Sequence, residues 1–432
     1  MKKLLVACLL VGLVGMLSVG FSHKEGDFEG ELEIFHEDHF VRGAAEHSKG
    51  RDSFYLKEGE KRTPLHFKED PGLLTGDTVR IKGKHDGTIL TVESLEVTAA
   101  LPPPVPYSFG EQRTLAILVN FTDNTSKPYS LSTVQNLIFG QISAAYYEQS
   151  YGQTWLTGDT VGWYTLPMSS SPCNARAIAT AAQAAATAHG VNLAAYGRYI
   201  YVFPRISCPW AGSAFLGGSP SQAWINGNLT PFVVSHEIGH TFGLYHSASL
   251  DCGLTTLGPT CTKSEYGDWM DTMGRPRTGH FNAYQKGRLG WLGYGESPPT
   301  TYVDTDGLYT LEPLETDTNG VKALVMLKEA PAPGYPYPAW YTIEYRQALG
   351  LDKSLGTTAT TNVLRGVVIH TNSRVGAIKS YLLDMSPGDP LSDWHKCALE
   401  FGKSFHDPVA GITITAVSGN ETQAKVQITF TP

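Results

Sequence analysis

The spacing of apolar positions changes character twice along the chain. From residue 24 to about 100 it alternates with period two. GDTVRIKGKHDGTILTVESLEV (76–97) puts its apolar residues on one face, and His85-Asp86-Gly87 breaks it as a hairpin turn. ELEIFHEDHF (31–40) alternates more loosely. This texture predicts a small OB-like β barrel over 24–100. LPPPVP then marks a stiff Pro-rich linker at 101–107.

The segment 108–296 mixes two periods. TLAILVNF (114–121) and RYIYVFP (198–204) are unbroken apolar runs and read as buried strands. SLSTVQNLIFGQISAAYYEQSYG (130–152) reads as helix, with Ser130 or Ser132 as N-cap. NARAIATAAQAAATAHG (174–190) is Ala-rich helix stopped by Gly190. Two more helices are predicted, at about 231–243 and within 281–292. From about 300 onward the pattern returns to short strands such as VKALVMLKE, GVVIHTNS and AKVQITFTP, separated by Gly, Pro, Asn and Asp. A C-terminal all-β sandwich over 300–432 is the expectation. The fold class expected is multidomain: a mixed α/β (α+β) central domain flanked by two β domains.

Composition narrows the function classes. The 432 residues are 41% hydrophobic and 17% charged, as expected of folded domains. Net charge is −8 and no basic stripe runs along the chain, so nucleic acid is not an expected partner. Lys2 and Lys3 precede an apolar run from Leu4 to about Val19, followed by small residues. Residues 1–22 therefore read as a cleaved secretory signal peptide, with no stable membrane span after its removal. Lipoprotein anchoring through Cys8 is disfavoured, because most of the apolar run lies behind it. Export makes disulfides an expectation for the five later cysteines. Nearest-neighbour pairing gives Cys173–Cys208 and Cys252–Cys261 and leaves Cys397 odd, although sequence alone does not fix connectivity.

The chemistry concentrates in HEIGHTFGLYH (236–246). On a helix, residues four apart lie about 40° apart around the axis, so His236 and His240 can share one ion. Val234, Ile238 and Phe242 occupy another face and can pack into a core. Gly243 can end the helix in a left-handed conformation, letting His246 return to the same ion. Three imidazole nitrogens at about 2.0–2.1 Å suit Zn²⁺ and leave an open position for water, as in catalytic sites. Glu237 points toward that position, where it can act as general base and then as acid to a leaving amine. Glu265, Asp268 or Asp271 could replace His246, but nothing requires it. No G-x-S-x-G elbow or phosphate loop competes.

The motif and its neighbouring segments resemble the metzincin zinc peptidases, and within them the gametolysin-like family. The resemblance is carried by YYEQSYGQTWLTGDTVGWYTLP (146–167), CPWAGSAFLGGSPSQAWING (208–227), the histidine helix, EYGDWMDTMG (265–274) and HFNAYQKGRLGWL (280–292). The immune-inhibitor-type bacterial metallopeptidases are the runner-up. The resemblance implies a metzincin-like zincin fold over 108–296, with a methionine in a tight turn beneath the zinc. Met273 is the candidate and Met270 the second choice. It also implies an edge strand that binds extended substrate. AGSAFLGG (211–218) suits that role, giving Gly212, Ser213 and Ala214 as candidate substrate-binding residues, with a Gly-rich loop as the equal alternative. Two family devices have no counterpart here: no tyrosine follows the turn methionine, and residues 24–107 hold no cysteine to block a metal.

The expected function is a secreted zinc endopeptidase that cleaves extracellular proteins or peptides by zinc-activated water, with Glu237 as base. One catalytic Zn²⁺ is expected. A structural Ca²⁺ is allowed but not indicated, and the chain should be a monomer. The alternative is an extracellular glycan- or protein-binding protein with an inactive zinc domain. His280 reads as a helix-start residue making a structural hydrogen bond, and His370 as a strand residue.

Overall fold

A computed structural model describes residues 24–39, 49–68, 70–99, 107–275, 277–331, 338–358, 361–372, 379–388 and 394–431. The expected signal peptide, Cys8 and most of the Pro-rich linker lie outside the described residues. The alternating N-terminal segment forms five strands: β1 (Lys24–His39), β2 (Lys49–Glu58), β3 (Lys61–His66), β4 (Thr78–His85) and β5 (Leu90–Ala99). They run in the order β2-β3-β5-β4-β1, and β2 also pairs with β1, so the set closes on itself. Leu32, Ile34, Leu56, Val79, Ile81 and Leu90 fill its interior. His85-Asp86-Gly87 does turn the β4–β5 hairpin, with Gly87 at φ +98°.

The sheet does not stop there. The second half of β1 also pairs with a strand of the central segment. That segment contains β6 (Gly110–Phe121), α1 (Leu131–Gln135), α2 (Ser143–Gln149), β7 (Thr154–Leu166), α3 (Ala175–Ala188), β8 (Arg198–Phe203), β9 (Gly212–Phe215), β10 (Ser221–Asn226) and α4 (Pro231–Thr241). A π-helical turn over Asn136–Ile142 joins α1 to α2, so the predicted helix is one rod with a widened middle. The ten-stranded order continues β1-β9-β10-β8-β6-β7. The unbroken apolar run of β6 has a simple cause: both faces are covered. Leu115, Ile117, Val119 and Phe121 pack toward α3 with Ile178, Ala182 and Ala186. Ala116 and Leu118 pack toward α4 with Val234, Ile238 and Phe242. Helices on both faces of a largely parallel sheet require such sequences.

The remaining chain forms β11 (Ser247–Asp251), β12 (Thr262–Ser264), α5 (Ala283–Arg288), and then β13 (Thr300–Tyr302), β14 (Gly307–Leu311), β15 (Ala323–Glu329), β16 (Ala339–Glu344), β17 (Gly366–Asn372), β18 (Ser380–Leu383), β19 (Leu399–Glu400), β20 (Lys403–Asp407), β21 (Ile412–Asn420) and β22 (Gln423–Phe430). One sheet runs β12-β11-β18-β17-β16-β15-β13 and a smaller one β14-β22-β21-β20. Their inner faces share one core, with Leu324, Ile343 and Ile369 against Ile414, Val426 and Ile428. β11 pairs in parallel with β18, so the chain just after the histidine helix is stitched into this sheet. Two disulfides, Cys173–Cys208 and Cys252–Cys261, are formed, and Cys397 is buried and free. Among the described residues no helix is long and apolar enough to cross a membrane.

Candidate metal centre

α4 begins where its sequence requires. Thr230 caps it, accepting from Val233 N at 3.3 Å, and Pro231 takes a first-turn position that needs no donor. Val234, Ile238 and Phe242 anchor one face in the core. The opposite face carries His236 and His240. Gly243 follows with φ +86°, and its N–H closes the helix on the His240 carbonyl at 2.7 Å. The reversal brings His246 back beside the other two, with ring centroids 5.2 Å from His236 and 5.0 Å from His240.

Each ring is oriented by its second nitrogen. His236 Nδ1 lies 2.7 Å from the Thr272 carbonyl, and His240 Nδ1 lies 2.7 Å from the Leu244 carbonyl. A carbonyl only accepts, so both Nδ1 atoms carry the proton and both Nε2 atoms present lone pairs to the shared space. His246 Nδ1 is 3.1 Å from Glu265 Oε1. Burial pushes His236 down and, with His36 nearby, pushes His240 down to about 3. Neutral imidazoles with converging lone pairs are what a zinc ion takes. Met273, fully buried, packs under this helix. A Cβ on Gly239 would come within 2.4 Å of its sulfur, so the bare glycine is what lets them approach. Met270 instead packs away from the helix, with Trp269, Val368 and Leu382.

Two further groups stand at the centre, and both come from β1. Asp38 Oδ1 is 2.9 Å from His246 Nε2 and 3.4 Å from His236 Nε2, and Oδ2 is 3.3 Å from His240 Nε2. His36 lies beside it, its Nε2 3.3 Å from Asp38 Oδ1 and its Nδ1 2.6 Å from Asp52. His36, Asp38, His240 and His246 have candidate ligand atoms all within 4.8 Å of one another. Two histidine sets can therefore be drawn, one with His36 and one with His236. His236 and His240 share one face of α4, and each turns its Nδ1 to a backbone carbonyl, so the His236 set is the one the helix itself builds. Burial opposes protonation of His36, yet Asp38 and Asp52 outweigh it and hold its pKa well above the usual value. For Asp38 burial is likewise outweighed, by His36 first and then the three motif histidines, and its pKa is held low.

Glu237 is wholly buried beside Asp38, and neither carboxylate oxygen has a hydrogen-bond partner among the described residues. Burial and then the Asp38 charge push its pKa far above the usual range. Gly212 of β9 faces it: a Cβ there would lie 2.0 Å from Glu237 Oε1. Gly212, Ser213 and Ala214 are all buried, between β10 on one side and β1 on the other.

Sequence reasoning passed over His36, Asp38 and Tyr266. The Tyr266 hydroxyl donates to Asp38 Oδ1 at 2.6 Å, and its ring lies 4.0 Å from that of His246. For the first two a signal existed: His36 and Asp38 are two apart, hence on one face of a strand. Nothing local marked Tyr266. Glu265, weighed as a ligand, supports His246 from behind. Although burial raises it, His246 holds it down to about 2. Asp268 and Asp271 lie away from the centre. Asp268 pairs with His370 at 2.8 Å, so His370 is more than a strand residue. Asp271 accepts from Met273 N and Asn282 N. His280 sits in a buried network with Glu148 and Lys286.

Comparison with known proteins adds one firm match. The model of the family described as gametolysin peptidase M11 matches residues 122–327. An archaemetzincin (amzA) from Methanopyrus kandleri aligns at 15% identity over 43% of this chain and 87% of that one, with a TM-score of 0.22. A structure described as a chaperone-substrate complex aligns at 14% identity over 54% of this chain, with a TM-score of 0.25. Here the alignment spans only 35% of the other chain's length. No curated protein matches.

Proposed function

From the match of residues 122–327 to the gametolysin peptidase family model, we propose that this chain is a secreted zinc endopeptidase acting on extracellular proteins or peptides. One observation carries the reading. The Nε2 atoms of His236, His240 and His246 all lie within 3.4 Å of a single carboxylate, against the buried Glu237. A tetrahedral zinc site with arms of about 2.0–2.1 Å has edges of about 3.3–3.4 Å, and the nitrogen–oxygen distances of 2.9–3.4 Å are close to that length. When bound, zinc would polarise the scissile carbonyl and acidify the attacking water.

The chain's own residues do the rest. His236, His240 and His246 hold the ion, each kept in its tautomer or orientation by Thr272, Leu244 and Glu265. Glu237, beside the corner that Asp38 now takes, removes the proton from water and returns it to the leaving amine. β9 binds the extended substrate through main-chain hydrogen bonds, and the bare Gly212 leaves room for Glu237. Tyr266 aims a hydroxyl at the same corner and serves as donor to the oxyanion, a role the segment after Met273 does not fill. Met273 is the turn methionine beneath the ion. The two disulfides suit an oxidising, extracellular setting.

The test is metal content and cleavage together. One zinc per chain, lost in His236→Ala and His240→Ala, should accompany internal cuts in a mixed peptide library read by mass spectrometry. Cuts should appear in the full chain or in Asp38→Asn and slow by about 10²–10⁴-fold with Glu237→Ala. Bound zinc with no cuts in any form would favour the second reading, a binding protein with a silent zinc domain. The buried state of Glu237 is the observation that keeps that reading alive.

A further inference from the structure

Among the described residues, β1 is the N-terminal strand that joins the central sheet. It pairs antiparallel with β9 through Phe35↔Phe215, His36↔Ala214, Glu37↔Ser213 and Asp38↔Gly212. It therefore covers the strand assigned above to substrate, in the extended form a substrate would take. The register brings Asp38 opposite Gly212, the residue that faces Glu237. Its carboxylate then stands among the three motif nitrogens at 2.9–3.4 Å, close to the edge lengths of a zinc tetrahedron.

The fit is built from several directions. Tyr266 donates to Asp38 Oδ1 at 2.6 Å, and Ser213 Oγ donates to the His36 carbonyl at 2.5 Å. Gly50 of β2 pairs with Asp38, and a Cβ there would meet the rings of His36 and His246 at 2.7 Å each. Its N–H donates to Glu265 Oε2 at 3.0 Å. A strand resting on the cleft by chance would not need a glycine there and a carboxylate at the ion's open corner.

We propose that β1 is an intramolecular inhibitor of its own cleft: Asp38 is the fourth zinc ligand, and the β1 backbone fills the substrate track along β9. The inference rests on the zinc peptidase reading above. It explains how an extended strand can lie in a protease cleft uncut. The corner where water must stand holds a carboxylate, and Glu237 faces that carboxylate in place of a nucleophile. His36, braced by Asp52, is a positioning residue for Asp38. Activation then consists of withdrawing β1, and the occupant displaced is a carboxylate rather than a thiolate.

The first test does not depend on activity. The full chain carrying Asp38→Cys, loaded with one equivalent of Zn²⁺, is measured by X-ray absorption at the zinc edge. A sulfur at about 2.3 Å is expected, and none in the wild type or Asp38→Ser. If the cysteine variant does not fold, Co²⁺-loaded Asp38→Asn should differ from Co²⁺-loaded wild type in its visible d–d bands. In the second test, an open state populated at about 0.1–10% implies that Asp38→Asn raises the rate of peptide cleavage about 10- to 10³-fold. Zinc bound without sulfur in Asp38→Cys, unchanged cobalt bands, or equal rates for wild type and Asp38→Asn would each overturn the inference. In those cases Glu237-dependent cleavage would still uphold the peptidase. A chain that binds no zinc in any form would overturn both.

Discussion

Gly212→Ala separates folding from catalysis at this site. A Cβ at residue 212 would lie 2.0 Å from Glu237 Oε1, 2.4 Å from its Cδ and 2.7 Å from its Cγ. All three atoms belong to the end of one flexible side chain, so the fold can absorb the methyl by moving Glu237 alone. Ordinary contact begins at about 3.4 Å, so the oxygen must retreat by about 1.4 Å. A misplacement of about 1 Å costs on the order of 10²-fold in rate. General-base catalysis as a whole contributes about 10²–10⁴-fold, which caps the loss. Gly212→Ala in the Asp38→Asn chain should therefore lower kcat about 10²-fold, with zinc stoichiometry and melting temperature nearly unchanged. The assay is steady-state cleavage of one fluorogenic peptide, run as a double-mutant cycle with Glu237→Ala. If Glu237 is the group displaced, Gly212→Ala should cost almost nothing once Glu237 is gone. A loss under threefold, or the same 10²-fold loss without Glu237, would refute the reasoning.

Two other outcomes are expected from the geometry. Tyr266→Phe in the Asp38→Asn chain should lower kcat by about 10²–10³-fold, the cost of one oxyanion donor, while leaving KM and zinc content alone; an unchanged kcat would remove Tyr266 from the mechanism. The buried Asp268–His370 pair ties the methionine turn to β17. Burial opposes charge on both, but the hydrogen bond and mutual attraction hold Asp268 below its ordinary pKa and His370 above its own. The His370 contribution is therefore complete below about pH 6.5 and lost as pH rises through its elevated folded value, while the Asp268 contribution is present above about pH 4 and lost as pH falls through its depressed one. His370→Ala should destabilise by about 3–5 kcal/mol near pH 5–6, and the melting gap to wild type should narrow toward pH 9. A gap that widens with pH would contradict this.

The histidine motif needed no tertiary knowledge. Helical periodicity alone sets His236 and His240 on one face and Val234, Ile238 and Phe242 on another, and the glycine at 243 lets His246 return. These relations span at most ten residues, and the local backbone enforces them. The buried strands at 114–121 and 198–204 and the Ala-rich helix were legible for the same reason, as were the two disulfides by proximity.

What lay beyond reach was every relation set by long-range pairing. Asp38 meets His246 across 208 residues, and Tyr266 meets Asp38 across 228. In sequence, ELEIFHEDHF shows only weak alternation, because β1 serves two roles. One side fills the barrel with Leu32 and Ile34, while the same period carries His36 and Asp38 into the metal centre. Polar residues in phase with the core look like noise until the opposing histidines are in place. The join of β1 to β9, and of β11 to β18, is likewise invisible locally, since backbone hydrogen bonds across a sheet carry no side-chain signature. The chain's own periodicity determined the ligands. Tertiary pairing decided what occupies the position between them and Glu237.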